Sequence, residues 1–178
     1  MNKSIKASQA GFTLIELIVV IVILGILAAT ALPKFASLSG EARLASLNAA
    51  KGALSATSAM THGKYLVSPT PAIVVEGTSV TMNATSGYPS VANANQARAL
   101  ALAAGLAATD YTVLTAGAAG ANRPAVAANE MAIVPNSIVN TPKAVNCFVR
   151  YAAATAANTA PVITTGIPTN AAAVAACE

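Results

Sequence analysis

The run GFTLIELIVVIVILGILAATALPKF, residues 11 to 35, constrains the chain more than any other stretch. From Phe12 to Leu32 its one ionisable side chain is Glu16, and from Leu17 to Leu32 a helix would present uncharged, mostly branched residues on every side. At about 1.5 Å per residue such a helix is roughly 30 Å long, the thickness of a bilayer's hydrocarbon core. The run therefore predicts a membrane helix rather than the core helix of a soluble protein. It does not read as an ordinary secretory signal, because no A-x-A type cleavage site separates it from a polar mature start. Lys3 and Lys6 precede it and hold the N-terminus on the cytoplasmic side, which sends everything after Pro33 outward.

Glu16 is the anomaly in this run. A carboxylate inside the apolar part of a membrane helix costs at least a few kcal/mol, so it is expected to have a function and a partner. Four residues into the run, it also lies near enough to the membrane edge to reach the headgroups, and position alone leaves both readings open. Pro33 lacks an N–H and clashes with the carbonyl four residues earlier, and Gly25 has poor helix propensity. The pair marks either a loosened helix or, at Pro33, the membrane exit.

Past Pro33, Phe35, Leu38, Ala42, Ala45, Ala49 and Ala53 recur at helical spacing, with Lys34, Glu41, Arg43 and Lys51 off that stripe. This predicts one long helix continuing to about Met60, stopped near Gly63. From Leu66 the composition turns to Val, Thr, Ser, Pro and Gly. Strands are expected at 79–82, 111–114 and 131–134, a second helix at 93–108, and a hairpin of 147–155 with 161–167. "SPTPAI", "SGYP", "TAGAAGAN" and "AAATAANTA" read as turns or loops. At 178 residues the chain has room for one head, expected to be an antiparallel sheet on the C-terminal half of the long helix.

Cys147 and Cys177, the only cysteines, suit an oxidising exterior and predict one disulfide rather than two free thiols. Chemistry is otherwise sparse. Nucleophile-elbow, Walker, C-x-x-C and H-E-x-x-H motifs are missing, and the acids after residue 60 are scattered at Glu76, Asp110, Glu130 and Glu178. His62, the sole histidine, reads as a surface or interface residue, and with two cysteines it cannot complete a zinc site. Asn83-Ala84-Thr85 fits a glycosylation sequon that chance would supply. The formal charge is +4, of which Lys3 and Lys6 leave +2 behind, too little to argue for nucleic acid. No catalytic residue, metal or cofactor is expected.

A short basic leader ending in Gly, then Phe, with Glu fifth after the Gly, resembles the N-terminal segment of type IV pilins and of type II secretion pseudopilins. The resemblance implies an α+β type IV pilin fold, with a long N-terminal α-helix whose C-terminal half packs on an antiparallel β-sheet head. It implies cleavage after Gly11 by a prepilin peptidase that also N-methylates Phe12, and retention of the apolar helix. It further implies that Glu16 pairs with the methylated amine of Phe12 on a neighbouring subunit, and that the stretch between Gly25 and Pro33 melts as subunits pack. The expected organisation is a leader at 1–11, a transmembrane and filament-core helix at 12–33, its amphipathic continuation at 34–60, and a head at 61–178 with a disulfide loop.

"LPKFASLSGEARLASLNAAKGAL" and the later "GYP" resemble the mannose-sensitive haemagglutinin (MSHA) type of type IV pilin. That subfamily implies the major subunit of a homopolymeric surface pilus for adhesion and biofilm formation. Its partners would be the inner membrane before assembly, the prepilin peptidase, and an assembly platform with cytoplasmic ATPases. A pseudopilin shares the N-terminal apparatus, but resembles others of its kind in a compact head with a C-terminal calcium site; this head is larger, poor in acids and disulfide-closed. A DNA-uptake pilin is disfavoured by the weak basic balance, and an electron-conducting pilin by the few aromatics. A membrane-anchored enzyme or binding protein leaves Glu16 unexplained.

Overall fold

The computed structural model describes residues 12–166 and Cys177, apart from the side chains at 36 and 37. Gly11, the leader and the last residue of the expected second hairpin strand lie outside them. The chain divides into two compact units, one ending at Ala36 and the other beginning at Ser37, and helix α1 (Leu14–Val67, 54 residues) contributes to both. The order continues as β1 (Ala72–Val75), β2 (Thr78–Thr81), α2 (Ala94–Ala103), β3 (Tyr111–Gly117), β4 (Val126–Pro135), a 3-10 turn at Pro142–Val145, β5 (Val149–Ala152) and β6 (Val162–Thr165). The protein is α+β: a long N-terminal helix followed by antiparallel sheet, the arrangement of the type IV pilin fold.

Two features of α1 differ from the sequence expectation. The helix runs through Gly63 to Val67, because Gly63 keeps a helical conformation and one turn more can form. The face it buries is also not the one containing Ala42, Ala45 and Ala49. Gly40, Leu47, Ala50, Leu54, Thr57, Ser58 and Thr61 are buried, with Leu44 and Tyr65 packed beside them, whereas Phe35, Leu38, Ala42, Ala45 and Ala49 are exposed and Ala53 is half-buried. Alanine is small enough for either side of a helix, so the larger leucines decide which face turns inward. Thr61 enters that face with its hydroxyl satisfied by the helix itself: its Oγ1 donates to the carbonyl oxygens of Thr57 at 2.8 Å and Ser58 at 3.0 Å.

The head holds a four-stranded antiparallel sheet in the order β3-β4-β5-β6 and a separate hairpin of β1 with β2. Leu47, Ala50 and Leu54 of α1 share one core with Val80, Leu100, Met131, Ile133, Val149 and Tyr151. Pairing of Met131 with Tyr151 and of Ile133 with Val149 places four of these side chains on one sheet face. Tyr151 donates to the Pro89 carbonyl at 3.0 Å, and burial pushes its phenol well above its ordinary pKa. The expected hairpin near the end is present, β5 pairing with β6 from Val149 opposite Thr165 to Ala152 opposite Val162.

Strand β1 was hidden in a stretch that reads as loop. Its partner register, Val75 opposite Thr78, leaves a two-residue turn of Glu76 and Gly77 with φ of +46° and +78°. Positive φ at both central residues is the type I′ geometry that matches strand twist. Glu is uncommon at the first of those positions, so the turn carries no sequence signature of the Asn-Gly kind.

Helix α2 ends at Ala103, before the expected Ala108. Gly105 takes φ +73°, its N–H donates to Leu102 O at 2.9 Å, and the Leu106 N–H donates to Ala101 O at 2.9 Å, together a Schellman close. Gly105→Ala is expected to destabilise the head by about 1 kcal/mol, read from urea unfolding of the full chain in detergent. At the other end Asn93 Oδ1 accepts from Gln96 N at 3.0 Å, and Gln96 Oε1 accepts from Ala92 N at 3.0 Å and Ser90 Oγ at 3.1 Å.

Candidate assembly surface

At the start of α1 the carboxylate of Glu16 has an immediate partner. The first helical backbone bond runs from Leu17 N to Thr13 O, which makes Thr13 the N-cap. Thr13 Oγ1 accepts from Glu16 N at 3.3 Å, while Glu16 Oε2 accepts from Thr13 N at 2.8 Å and from Thr13 Oγ1 at 2.7 Å. This is a capping box, which satisfies two donors that the first helical turn leaves orphaned. Its signature, T-x-x-E before an apolar run, stands at residues 13 to 16 and is a signal the sequence reading passed over. Phe12 lies just outside the box and is 94% exposed.

Beyond the cap the large apolar side chains from Leu14 to Leu27 are 47 to 75% exposed within the described residues. Surface of that size needs lipid or other subunits. The helix continues unbroken through Gly25 and Pro33. Within it, Thr30 Oγ1 donates to Leu27 O at 3.0 Å, which keeps that hydroxyl satisfied in an apolar setting. This is the one helix among the described residues long and apolar enough to cross a membrane.

The second unit exposes a different kind of face. Ala42, Ala45, Ala49, Gly52, Ala56, Ala59 and Gly63 lie three and four residues apart, all exposed, on the side of α1 turned away from its core residues. A Cβ added to Gly52 or Gly63 would meet nothing within 4 Å, so the fold of this chain gives no reason for glycine at either position. Three of the six residues expected to pack on the head, Ala42, Ala45 and Ala49, belong to this outward stripe.

Cys147 and Cys177 are bonded, with Cα atoms 5.2 Å apart across a separation of 30 residues. Both are buried, and Cys177 is held a second time: Arg43 Nη1 donates to its carbonyl at 2.6 Å and to Ser39 Oγ at 3.3 Å. Arg43, placed off the packing stripe by sequence, thus ties α1 to the end of the chain. His62 Nδ1 lies 2.8 Å from Gly87 O, and its ring stacks on Tyr88 at 3.8 Å, so the histidine fastens the "GYP" turn to α1. Asn83 Oδ1 accepts from Thr85 N and Ser86 N in that same turn. Glu130 and Arg150 form an ion pair at 3.4 Å on β4 and β5, and the register of Tyr111 opposite Pro135 puts Asp110 at the other end of β4 from Glu130. Among the described residues, no three His, Cys, Asp or Glu side chains are grouped to hold a metal.

Fold and site together describe a chain with an all-round apolar N-terminal helix, a locally capped carboxylate in its first turn and a disulfide-closed α+β head. The sequence places it more closely: residues 6–32 match the prokaryotic N-terminal methylation motif, a type IV pilin-like prepilin signal. That motif implies processing by a prepilin peptidase, and with the apolar helix it points to a membrane-anchored precursor. No curated protein and no solved structure matches the chain.

Proposed function

We propose that the chain is the major structural subunit of a type IV pilus of the MSHA-like kind, a surface filament for adhesion and biofilm formation. The observation that carries the reading is the prepilin motif at 6–32 leading into a helix whose large apolar side chains are exposed among the described residues. The small-residue face from Ala42 to Gly63 supports it, since closely packed helices require small side chains where their backbones approach. In this reading cleavage falls after Gly11 and Phe12 becomes the methylated N-terminus. Glu16 then meets that amine on a neighbouring subunit, and the stretch from Gly25 to Pro33 yields as subunits pack. The head, with its Cys147–Cys177 loop, forms the outer surface of the filament.

Intact mass and N-terminal fragmentation of protein sheared from cells test the reading. A chain beginning at methylated Phe12 and two hydrogens light at its cysteines is the expected result. A full-length chain retained in the membrane would instead favour an anchored binding protein. Filaments confined to the periplasm would favour a pseudopilin.

Gly52→Leu separates assembly from folding. Leucine has the better helix propensity by about 1 kcal/mol, so the unassembled subunit is expected to be as stable as the native chain or slightly more so. Filament recovered by shearing is expected to fall about tenfold, because the added side chain holds neighbouring helices apart. Native filament yield would show that this face is not an interface.

A further inference from the structure

We infer that Thr13 is a positioning residue for subunit assembly, acting through Glu16; the inference rests on the pilin reading above. All three bonds of the capping box join Thr13 and Glu16, and none involves a residue before Phe12, so cleavage after Gly11 leaves the box whole. Both bonds that the carboxylate accepts fall on Oε2. Among the described residues Oε1 has no partner and Glu16 is exposed, which leaves that oxygen free to accept from a cation of another chain. A free Glu side chain has several rotatable bonds to immobilise before it can meet an amine in an apolar setting, and the box immobilises them in advance. The box also gives the carboxylate two donors while the subunit stands alone in lipid, where an unsatisfied polar group is costly. Thr is suited to both tasks: the hydroxyl donates to Oε2 and accepts from the Glu16 N–H, and its methyl group faces an apolar environment without cost.

The test expresses the native chain, Thr13→Val, Thr13→Ser, Glu16→Ala and the Thr13→Val/Glu16→Ala double variant with a prepilin peptidase and a type IV assembly system. Cleavage is followed by intact mass and filament by shearing. All five are expected to be cleaved after Gly11 to the same extent. Thr13→Val, which keeps shape and loses the hydroxyl, is expected to yield about threefold to tenfold less filament, and Thr13→Ser to stay within about twofold of native. In the double variant, loss of the hydroxyl is expected to add nothing to the loss caused by Glu16→Ala, because Thr13 acts only through that carboxylate. Native yield from Thr13→Val, equal losses from Val and Ser, or a further loss in the double variant would each overturn the inference while leaving the pilin reading intact. Native yield from Glu16→Ala would overturn the pairing reading itself.

Discussion

Glu16→Ala is expected to lower the filament sheared from cells by about a hundredfold, with cleavage after Gly11 unchanged. The size follows from the cost of a charge at apolar depth, roughly 2.5 to 3.5 kcal/mol on insertion scales, and from about 1.4 kcal/mol per factor of ten. In the proposed pairing, deleting the carboxylate leaves the partner's amine without a counter-charge in the docked state, a penalty on assembly that the free subunit does not feel. Glu16→Gln gives the change a second dimension. Its amide oxygen still accepts from Thr13, so the capping box seen at 2.7 and 2.8 Å can persist while the charge is gone. If Gln assembles as well as Glu, hydrogen bonding is sufficient and charge pairing is the wrong account. If Gln fails as Ala does, the charge itself is required.

The other large effect is expected at the disulfide. Cys147→Ser opens a loop spanning 30 residues, worth about 3 to 4 kcal/mol in the chain-entropy treatment. It also leaves a hydroxyl in a fully buried site beside β5, which adds to the loss. For a domain of this size the melting temperature of the full chain in detergent is expected to drop by roughly 10 °C. The native chain under reducing conditions should show most of the same drop. Equal melting temperatures with and without reductant would mean that the Arg43 bond to the Cys177 carbonyl and the surrounding packing hold the end of the chain by themselves. Arg43→Ala in the reduced chain would then expose that second tether.

Local and periodic features are legible in the sequence. The apolar run from Phe12 to Leu32 left few options, because a surface apolar on all sides must be covered. The strands around Tyr111, Met131 and Val149 were legible because β-branched and aromatic residues cluster there between turn residues. The first hairpin was not. Its turn at Glu76-Gly77 places at positive φ a glutamate, a residue uncommon in left-handed backbone and so no turn signal, and Pro71 immediately before β1 argued for loop. Gly105 was a readable stop that the alanine-rich surroundings concealed, since alanine on both sides favours continuing the helix.

What the sequence by itself determined is the N-terminal apparatus. Its motif is contiguous, its length is set against a bilayer, and the capping of Glu16 by Thr13 joins residues three apart, so none of it needs a fold to bring its parts together. Tertiary structure alone decided which side of α1 faces the head. Ala42, Ala45 and Ala49 and the leucines follow the same period, and only the sheet's buried Met131, Ile133 and Tyr151 select the leucine face. The same holds for Arg43, whose partner carbonyl lies 134 residues away, and for His62, held by a turn 25 residues on. A periodic pattern fixes the angle between residues on one helix; which of those angles points inward depends on the shape of what packs against it.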